Sequence, residues 1–584
     1  MAANMNYIVV TGGTLSGVGK GITASSIGVI LQSMGHTVTF IKIDPYINSD
    51  AGTLNPFDHG EVYVLEDGTE TDLDLGNYER FLNISLTGKH SITTGKIFKE
   101  LIEREREGVY LGKTVQIVPH ATDLIKEKIV EVAHEPIKVG IAFEDEVKVR
   151  ADFCIIELGG TVGDIESLVF IEALRQLKRE AVCSNFLVVS VEFLPQLSNK
   201  EIKTKPVQNS IKKSLGLGIK PDIIICRCES PIDEPIKEKI SLFCEVEKKD
   251  IFQSYTLKSV YDLPEVLNKQ GLFKSITDHL KIKERKKSIL RHYNSLAKNE
   301  QQLENTIVEG EECLKYLKPN TNLCFSLKER FGQLSSKYEN CLKISIIGKY
   351  VTNNDCYMSL YNAIKFSAAF LKIEANINWV EASDLEVHDP EKFLGGSDCI
   401  IVPGGFGPRG VEGKIRAIQY ARINNIPFLG ICLGFQMAVV EFCRNVLGMK
   451  DAHSEEFIKN DDNVIVYLNQ YNQKSFGGTM RLGNKPTILK DCRVKEWYGV
   501  NEMIHERHRH RYEVNTKVVN QLEEHKFEFV GKSENLERME IFDYKINDFH
   551  IGVQFHPEFN ARPNLPHCLF NELMTHALNK RQNN

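Results

Sequence analysis

The sequence predicts an α/β protein with two doubly wound parallel-sheet domains. Near the N-terminus an apolar strand runs directly into a glycine-rich turn and a helix, and the same order recurs around Cys432. Between the two, residues 281–340 become first basic and then acidic and rich in Gln and Asn, before a new apolar strand begins at Leu342. Alternating strands and helices are typical of parallel sheets, and 584 residues are too many for one hydrophobic core.

We therefore expect an N-terminal domain over residues 1–280, a second domain over 341–575 and a polar tail over 576–584. The charged stretch 281–340 is interpreted as a solvated linker, in which residues 290–303 could form a surface helix.

Composition excludes several classes of function. The chain is 42% hydrophobic and 26% charged with a net charge of -6, which is ordinary for a globular protein and gives no indication of nucleic-acid binding. No apolar run is long enough to span a bilayer, and no secretory signal precedes the first strand. Its fourteen cysteines contain no C-x-x-C pair, which favours reduced thiols over disulfides or zinc. We expect a cytoplasmic protein without membrane partners.

The first glycine-rich turn, residues 12–21, predicts a phosphate-binding loop. Backbone N–H groups and a helix N-terminus would meet the anion, and Lys20 would neutralise its charge. The loop departs from a Walker A motif, because Thr14 replaces the first glycine and Gly21 replaces the hydroxyl residue that holds magnesium. An ordinary glycine turn is the alternative, and the lysine within a strand–helix frame makes it less favourable.

Acidic and basic residues after the next strands could complete a nucleotide site. Glu157 ends a strand at the edge where parallel sheets bind ligands, and Lys42 ends another. Asp74 is a second candidate magnesium ligand, although a solvated acidic loop over residues 66–74 is the alternative and spacing does not choose among its carboxylates. The lysines of residues 199–208 are either solvated surface or a second triphosphate site.

The second glycine-rich turn predicts a nucleophile. Cys432 lies between Gly430 and Gly434, after a short apolar strand and before a helix, where exposed N–H groups favour a thiolate. A buried structural cysteine is the alternative. Near the C-terminus, His556 could take the thiol proton and Glu558 could orient the imidazole. Residues 403–407 form a further glycine-rich turn, which could direct N–H groups at an oxyanion or be an ordinary tight turn.

These motifs resemble two families. Residues 403–407, 430–436 and 555–559 are similar to a class I glutamine amidotransferase, which implies Cys432 as thioester-forming nucleophile, His556 as acid/base, Glu558 as orienter and the N–H groups of Gly405 and Leu433 as oxyanion donors. The N-terminal half resembles the CTP synthase family, with a P-loop-like, dethiobiotin-synthetase-like domain. That resemblance rests on residues 12–21, 42–48, 58–62, 72–80, 159–166 and 203–208.

The resemblance implies four sets of ligand-binding residues. ATP would contact Gly17, Val18, Gly19, Lys20, Gly21, Ile22, Lys42 and Asp74, with Mg²⁺ on Asp74 and Glu157. UTP, or CTP as feedback inhibitor, would contact Ser16, Asp164, Ile165, Glu166, Lys203, Thr204, Lys205, Pro206, Val207, Gln208 and Lys239. Glutamine would contact Gly405, Leu433, Gly434, Phe435, Gln436, Glu456 and Arg511.

Arg511 belongs to the charged run 505–512, whose composition could suit anion binding, with a polar surface segment as the alternative. The resemblance further implies ATP-dependent amination of UTP to CTP through a 4-phosphorylated intermediate, the last step of de novo pyrimidine nucleotide synthesis. It also implies GTP as allosteric activator, a homotetramer, and filaments as in many members, with His59 and Arg409 as parts of the coupling to GTP.

Two alternatives stay open. Another glutamine-dependent ligase, such as a cobyrinic-acid amidase-like enzyme, would share both domain types, although residues 159–166 and 203–208 favour CTP synthase. A nucleotide-sensing filament scaffold without activity is the other, against which the intact Cys432, His556, Glu558 and Lys20 argue.

Overall fold

The computed structural model describes residues 5–139, 147–180, 185–282, 330–351, 353–468, 480–500 and 502–583. Its contacts divide the chain into two compact units. Unit 1 comprises Met1–Asp50 and Asn77–Ser335, and unit 2 comprises Ala51–Gly76 and Ser336–Asn584. The segment Ala51–Gly76 therefore packs with the C-terminal half of the chain. The sequence did not indicate that this segment is separate from the rest of the N-terminal half. The surface helix expected at residues 290–303 falls outside the described residues.

Unit 1 is built on a seven-stranded sheet whose strands are all parallel. In chain order the strands are β1 Asn6–Thr11, β2 Val38–Asp44, β3 Ser91–Thr93, β4 Phe153–Leu158, β5 Phe186–Phe193, β6 Ile223–Arg227 and β7 Ile251–Ser254. Their order across the sheet is β7-β6-β5-β1-β4-β2-β3. From β1 the chain passes to β2 and β3 on one side of the sheet. It then returns to β4, which lies between β1 and β2, and continues through β5, β6 and β7 on the other side of β1. This reversal beside β1 places the carboxyl ends of β1, β4 and β5 where doubly wound sheets bind ligands.

Unit 2 contains a nine-stranded sheet that is parallel in one part and antiparallel in the other. Its strands are β8 Cys341–Gly348, β9 Glu374–Glu381, β10 Cys399–Val402, β11 Phe428–Ile431, β12 Arg481–Leu489, β13 Met503–His510, β14 Phe527–Ser533, β15 Met539–Tyr544 and β16 His550–Val553. They lie in the order β9-β8-β10-β11-β16-β15-β14-β12-β13. The first five are parallel, and β15, β14, β12 and β13 extend the sheet with antiparallel pairings. The predicted α/β class with parallel sheets is confirmed, and the antiparallel extension is an addition to it.

The α-helices, in chain order, are α1 Lys20–Ser33, α2 Pro56–His59, α3 Leu73–Leu82, α4 Thr94–Arg106, α5 Thr122–His134, α6 Leu168–Arg179, α7 Lys205–Gly216, α8 Glu234–Cys244, α9 Leu263–Lys269, α10 Leu272–Leu280, α11 Met358–Phe370, α12 Asp384–Val387, α13 Pro390–Leu394, α14 Val411–Ile423, α15 Leu433–Asn445, α16 Arg493–Tyr498, α17 Val519–Glu524 and α18 Cys568–Asn583. Short strands pair outside the two large sheets at Ile84–Ser85, Ile137–Val139 and Val147–Val149, at Tyr63–Val64 and Glu70–Thr71, and at His453–Ser454, Asn463–Tyr467 and Tyr512–Val514. None of the described helices has the length and apolar character needed to cross a bilayer.

The charged run 505–512 is not the polar surface segment that its composition suggested. Most of it forms β13, in which Glu506, Arg507, His508 and His510 are buried. Each of these polar side chains has a partner in the protein; Glu506, for example, accepts a 2.7 Å hydrogen bond from Asn560. Hydrogen bonds and ion pairs offset the cost of burying polar groups, so a charged composition does not by itself place a segment at the surface.

Candidate active sites

Cys432 occupies a strained turn between β11 and α15. It is the N-cap of α15, with φ 51° and ψ -101°, a conformation that non-glycine residues rarely adopt. The two flanking glycines are needed because the backbone is crowded. A Cβ on Gly434 would overlap the carbonyl oxygen of Val402, and one on Gly430 would lie 2.9 Å from the carbonyl oxygen of Gly434. The turn thus holds the thiol at the N-terminus of a helix, as a nucleophile requires.

His556 follows β16 and meets Cys432 at the glycine turn after β10. Its Nδ1 lies 2.8 Å from Glu558 Oε1, and its backbone N–H donates a 2.8 Å bond to the carbonyl oxygen of Arg507. A Cβ on Gly404 would lie 2.9 Å from Cε1 of His556 and 3.5 Å from Cβ of Cys432. The three motifs singled out in the sequence are therefore brought together at one point.

The electrostatics of His556 favour its protonated form. Burial lowers the pKa of this imidazole, but the negative charges of Glu558 and Cys432 outweigh burial and raise the pKa to about 10. Because Glu558 binds Nδ1, Nε2 is the ring nitrogen available to exchange a proton with the thiol. This geometry can support nucleophilic attack by a thiolate next to an imidazolium.

Residues 403–407 carry one of the two predicted oxyanion donors, Gly405, and Leu433 carries the other. A Cβ on Gly405 would lie 3.7 Å from Cδ2 of Leu433, so the two residues whose N–H groups were expected to serve are neighbours. Lys414 holds the start of this turn. It is fully buried and donates a 2.7 Å hydrogen bond to the carbonyl oxygen of Pro403. Burial holds the pKa of Lys414 well below its ordinary value.

Two further groups fix the same turn. Lys349 donates to the carbonyl oxygen of Phe406 at 3.2 Å and also to that of Gly407, and burial lowers its pKa to about 8. Glu456 accepts a 2.8 Å bond from the N–H of Gly407, and burial raises the pKa of its carboxyl. The sequence had offered Glu456 as a glutamine ligand but had not identified either lysine.

A cavity of about 520 Å³ within unit 2 is lined in part by Cys432, His556 and Glu558. It is lined by Gly52, Thr53, Leu54, Pro56, Glu61, Val62, Tyr350, Cys356, Tyr357, Pro403, Gly404, Gly405, Phe406, Cys432, Met480, Arg509, Arg511, His556, Glu558 and Phe559. Gly405 and Arg511, two expected glutamine contacts, thus share a cavity with the nucleophile.

The side chains of two other expected glutamine contacts are used inside the protein. Phe435 is fully buried and stacks on Phe542, with ring centroids 5.5 Å apart. Gln436 donates to the carbonyl oxygen of Tyr512 at 3.0 Å and to Gln554 at 3.2 Å. Any contact of residues 433–436 with a substrate would therefore come chiefly from their backbone.

The loop that the sequence predicts to bind phosphate lies between β1 and α1 in unit 1. Gly17 and Gly19 have φ of 72° and 97°, and the helix begins at Lys20 directly after Gly19. Lys20 is buried, and its Nζ donates a 2.7 Å bond to the carbonyl oxygen of Gly160 in the loop after β4. The loop thus combines left-handed glycines, a helix N-terminus and a fixed lysine, the features of an anion cradle.

Glu157 lies at the end of β4, buried against Lys42. Their side chains are 3.0 Å apart, Tyr78 also donates to Glu157, and Asp44 lies 3.7 Å from the same ammonium. Carboxylate oxygens are ligands that suit Mg²⁺. Among the described residues, no cluster of three or more His, Cys, Asp and Glu side chains could hold a metal. Phosphates or water would therefore have to complete the coordination shell of Mg²⁺ at this position. Asp74 lies in the first turn of α3 and belongs to unit 2 in the division of the chain.

Comparison with known proteins decides between the families that share such sites. The model of the CTP synthase N-terminus matches residues 6–282, and that of class I glutamine amidotransferases matches residues 353–576. CTP synthase 2 of Xenopus laevis is 45% identical over 96% of this chain and 93% of its own length. CTP synthase of Candida glabrata is 43% identical over 96% of this chain and 94% of its own length. The chain belongs to the CTP synthase family.

Membership of the CTP synthase family identifies an enzyme, a glutamine-hydrolysing ligase. Among solved structures, the glutaminase domain of Trypanosoma brucei CTPS with bound acivicin matches 41% of this chain and 94% of that chain at 35% identity, with a TM-score of 0.39.

The residues expected to bind UTP or CTP lie in unit 1, and some of them are exposed while others are buried. Lys203 pairs with Glu201, and the charge of Lys239 also lowers the pKa of Glu201. Thr204 and Gln208 are buried and joined by a 3.0 Å hydrogen bond. Val207 lies in the hydrophobic core. Lys205 and Pro206 are exposed at the start of α7, as are Ser16 and residues 164–166 on their own turns.

Arg409 and His59, the expected coupling residues, lie on elements that contact the same tyrosine. The guanidinium of Arg409 is 5.6 Å from the ring centroid of Tyr350, and Phe57 of α2 packs edge-on against that ring at 4.9 Å. His59 ends α2 and is exposed.

Glu192 is a buried acid at the phosphate-binding loop that the sequence analysis missed. It lies near the end of β5 and accepts bonds from Ser190 at 2.6 Å and Ser210 at 2.8 Å; burial raises the pKa of its carboxyl, while bonds from Thr14 and Gly13 lower it. Its signal in the sequence is an acid within an otherwise apolar strand beside the switch point.

Proposed function

We propose that this enzyme converts UTP to CTP with ATP, using ammonia that it takes from glutamine. The observation that carries the proposal is that one chain of the CTP synthase family holds both a Cys432–His556–Glu558 site under a cavity and a phosphate cradle around Lys20.

In the glutaminase reaction, the sulfur of Cys432 attacks the side-chain carbonyl of glutamine. The N–H groups of Gly405 and Leu433 stabilise the oxyanion. His556 gives a proton to the leaving nitrogen, so that ammonia departs and a thioester remains. Water, deprotonated by His556, then hydrolyses the thioester to glutamate and restores the thiol.

In the synthase reaction, the 4-oxygen of UTP takes the terminal phosphoryl group of ATP, which releases ADP. Ammonia attacks C4, phosphate leaves, and loss of a proton gives CTP. Lys20 and Lys42 stabilise the charge on the transferring group. Mg²⁺ held by Asp74 and Glu157 would neutralise phosphate charge when bound. Residues Ser16, 164–166, 203–208 and 239 would bind the uracil nucleotide or the inhibitor CTP.

Ammonia must travel between the sites without becoming ammonium, which is not a nucleophile. An enclosed passage would meet this need. Activation by GTP, with Arg409 and His59 in the coupling, inhibition by CTP, assembly into a tetramer and filaments, and a cytoplasmic location complete the proposal on the strength of the family resemblance.

The proposal is tested by separating the two half-reactions. Cys432→Ala should abolish CTP formation from glutamine and leave CTP formation from added ammonia unchanged, because only the thioester chemistry is lost. Cys443→Ala is the matched control, since Cys443 is a buried cysteine on the same helix, α15. Failure of the unmodified enzyme to form CTP from UTP, ATP and glutamine would refute the proposed function and favour another glutamine-dependent ligase.

A further inference from the structure

Arg509 contacts both the proposed nucleophile, Cys432, and the glycine turn over residues 403–407. Its carbonyl oxygen lies 3.7 Å from the sulfur of Cys432, in position to accept a bond from the thiol. Its guanidinium lies 4.8 Å from the ring centroid of Phe406, in the turn that contains the proposed oxyanion donor Gly405 (the oxyanion turn). The same guanidinium pairs with Glu70 at 2.7 Å.

Glu70 belongs to Ala51–Gly76, the segment that the N-terminal half of the sequence contributes to unit 2. Its side chain is only 2% exposed, and Arg509 also donates to the carbonyl oxygen of Gly52 at 3.4 Å. A Cβ on Gly52 would overlap the carboxylate of Glu70, so the glycine makes room for the ion pair. Gly52 lines the cavity over Cys432 together with Arg509.

The same strand holds this segment at a second point. Arg507 donates to the hydroxyl of Tyr63 at 2.9 Å and to the carbonyl oxygen of Val64 at 3.0 Å, and the Tyr63 hydroxyl donates to the carbonyl oxygen of Phe559 at 3.0 Å. Residues two apart on a strand share one face, so Arg507 and Arg509 present the segment with two adjacent anchors. Of these two anchors, Arg509 is the one that also contacts the nucleophile and the oxyanion turn.

We propose that Arg509 is a positioning residue for glutamine hydrolysis, which ties the segment Ala51–Gly76 to the nucleophile and to the oxyanion turn through Glu70 and Phe406. The inference rests on the proposed function. In the proposed function, glutamine is held by Arg511 and Gly405, which line the same cavity as Arg509. Loss of the Arg509 guanidinium should therefore impair the reaction of bound glutamine more than its binding.

Arg509→Met and Arg493→Met form a matched pair for the test. Like Arg509, Arg493 pairs with a buried carboxylate, Asp543, at 2.6 Å, donates to a backbone carbonyl and lies over an aromatic ring, at 5.5 Å from Trp497. Unlike Arg509, it does not line the cavity over Cys432. The two variants thus lose the same kinds of contact in the same unit.

We expect Arg509→Met to lower kcat for glutamine-dependent CTP formation about tenfold or more, with a smaller change in KM for glutamine and no change in ammonia-dependent formation. Glu70→Gln should act in the same direction, and Arg509→Lys should recover part of the loss. Arg493→Met should keep the ratio of the two activities. If Arg509→Met lowers both activities together or changes only KM, the inference is wrong; an unmodified enzyme that forms no CTP would instead refute the proposed function.

Discussion

Two buried histidines of unit 2 show how neighbours decide protonation. The pKa of His556 is raised to about 10, because the charges of Glu558 and Cys432 outweigh burial. The pKa of His550 is lowered to about 3, because burial disfavours the charged imidazole and the positive charge of Arg422 acts in the same direction. Its ring stacks on Phe428 at 4.5 Å. The first is suited to acid–base chemistry and the second to packing.

The neutral burial of His550 makes the stability of unit 2 sensitive to acid. The unfolded chain takes up a proton near pH 6.5, whereas the folded state resists it until about pH 3. This contribution is therefore fully present above pH 6.5 and is lost as pH falls towards 3. Between pH 7.5 and 5.5, His550→Phe should lose about 1 kcal/mol less stability than the unmodified protein.

Tryptophan fluorescence during chemical denaturation would measure this effect. The chain contains two tryptophans, Trp379 and Trp497, and both lie in unit 2. An equal loss of stability in both proteins between these pH values would show that His550 is not the responsible group.

Single residues were predictable where their chemistry is local. Cys432, His556 and Glu558 could be identified because a glycine-flanked turn and a short His-Pro-Glu motif carry their signal within a few positions. Arg509 could not, because its partner Glu70 is 439 positions away in the chain. Lys414 was missed because the sequence around it does not show whether a lysine is buried or exposed.

At the scale of the element, the turn from β11 to α15 depends on Gly434. No side chain fits there, because a Cβ would overlap the carbonyl oxygen of Val402 on the neighbouring strand. We expect Gly434→Ala to destabilise unit 2 by about 3 kcal/mol or more, as overpacking against rigid backbone does, and to abolish glutamine-dependent activity.

Gly448→Ala, beyond the end of α15, is the control for Gly434→Ala. Gly448 has φ 75° and open space where a Cβ would lie, so the substitution should cost only the strain of a left-handed alanine, about 1–2 kcal/mol. Tryptophan fluorescence reports both transitions. Equal losses in the two variants would contradict a specific role for the close approach at Gly434.

Elements were predictable to the extent that their pattern is self-contained. β1, β4 and β11 are short apolar runs, as expected for strands buried on both faces. The antiparallel extension was not foreseen, because strands and helices were expected to alternate throughout the second domain. Residues 534–538, which connect β14 to β15, contain no helix, and so short a connection allows only antiparallel pairing. The burial of β13 was not apparent from the sequence, because the groups that pair with its buried charged side chains are distant in the chain.

At the scale of the whole molecule, the chain does not keep its two units in separate halves. It passes between them at residues 50–51, 76–77 and 335–336. The segment Ala51–Gly76 is therefore covalently joined at both ends to unit 1 while it packs in unit 2. This connectivity joins unit 1 through the backbone to a segment that lines the cavity over Cys432, which a simple fusion of two domains would not do.

If ammonia passes within the protein, two complementary inactive variants should fail to rescue one another. Lys20→Ala should lose CTP formation but still hydrolyse glutamine, and Cys432→Ala should do the reverse. We expect an equimolar mixture of the two variants, given UTP, ATP and glutamine near neutral pH, to form CTP only slowly. Its rate should not exceed the rate of Cys432→Ala alone when that variant is supplied with free ammonia at the concentration that the mixture has released. Glutamate and CTP measured over time check this, and added ammonia confirms that Cys432→Ala is competent. Immediate CTP formation at a substantial fraction of the unmodified rate would mean that ammonia moves through solution, and the enclosed passage would have to be abandoned.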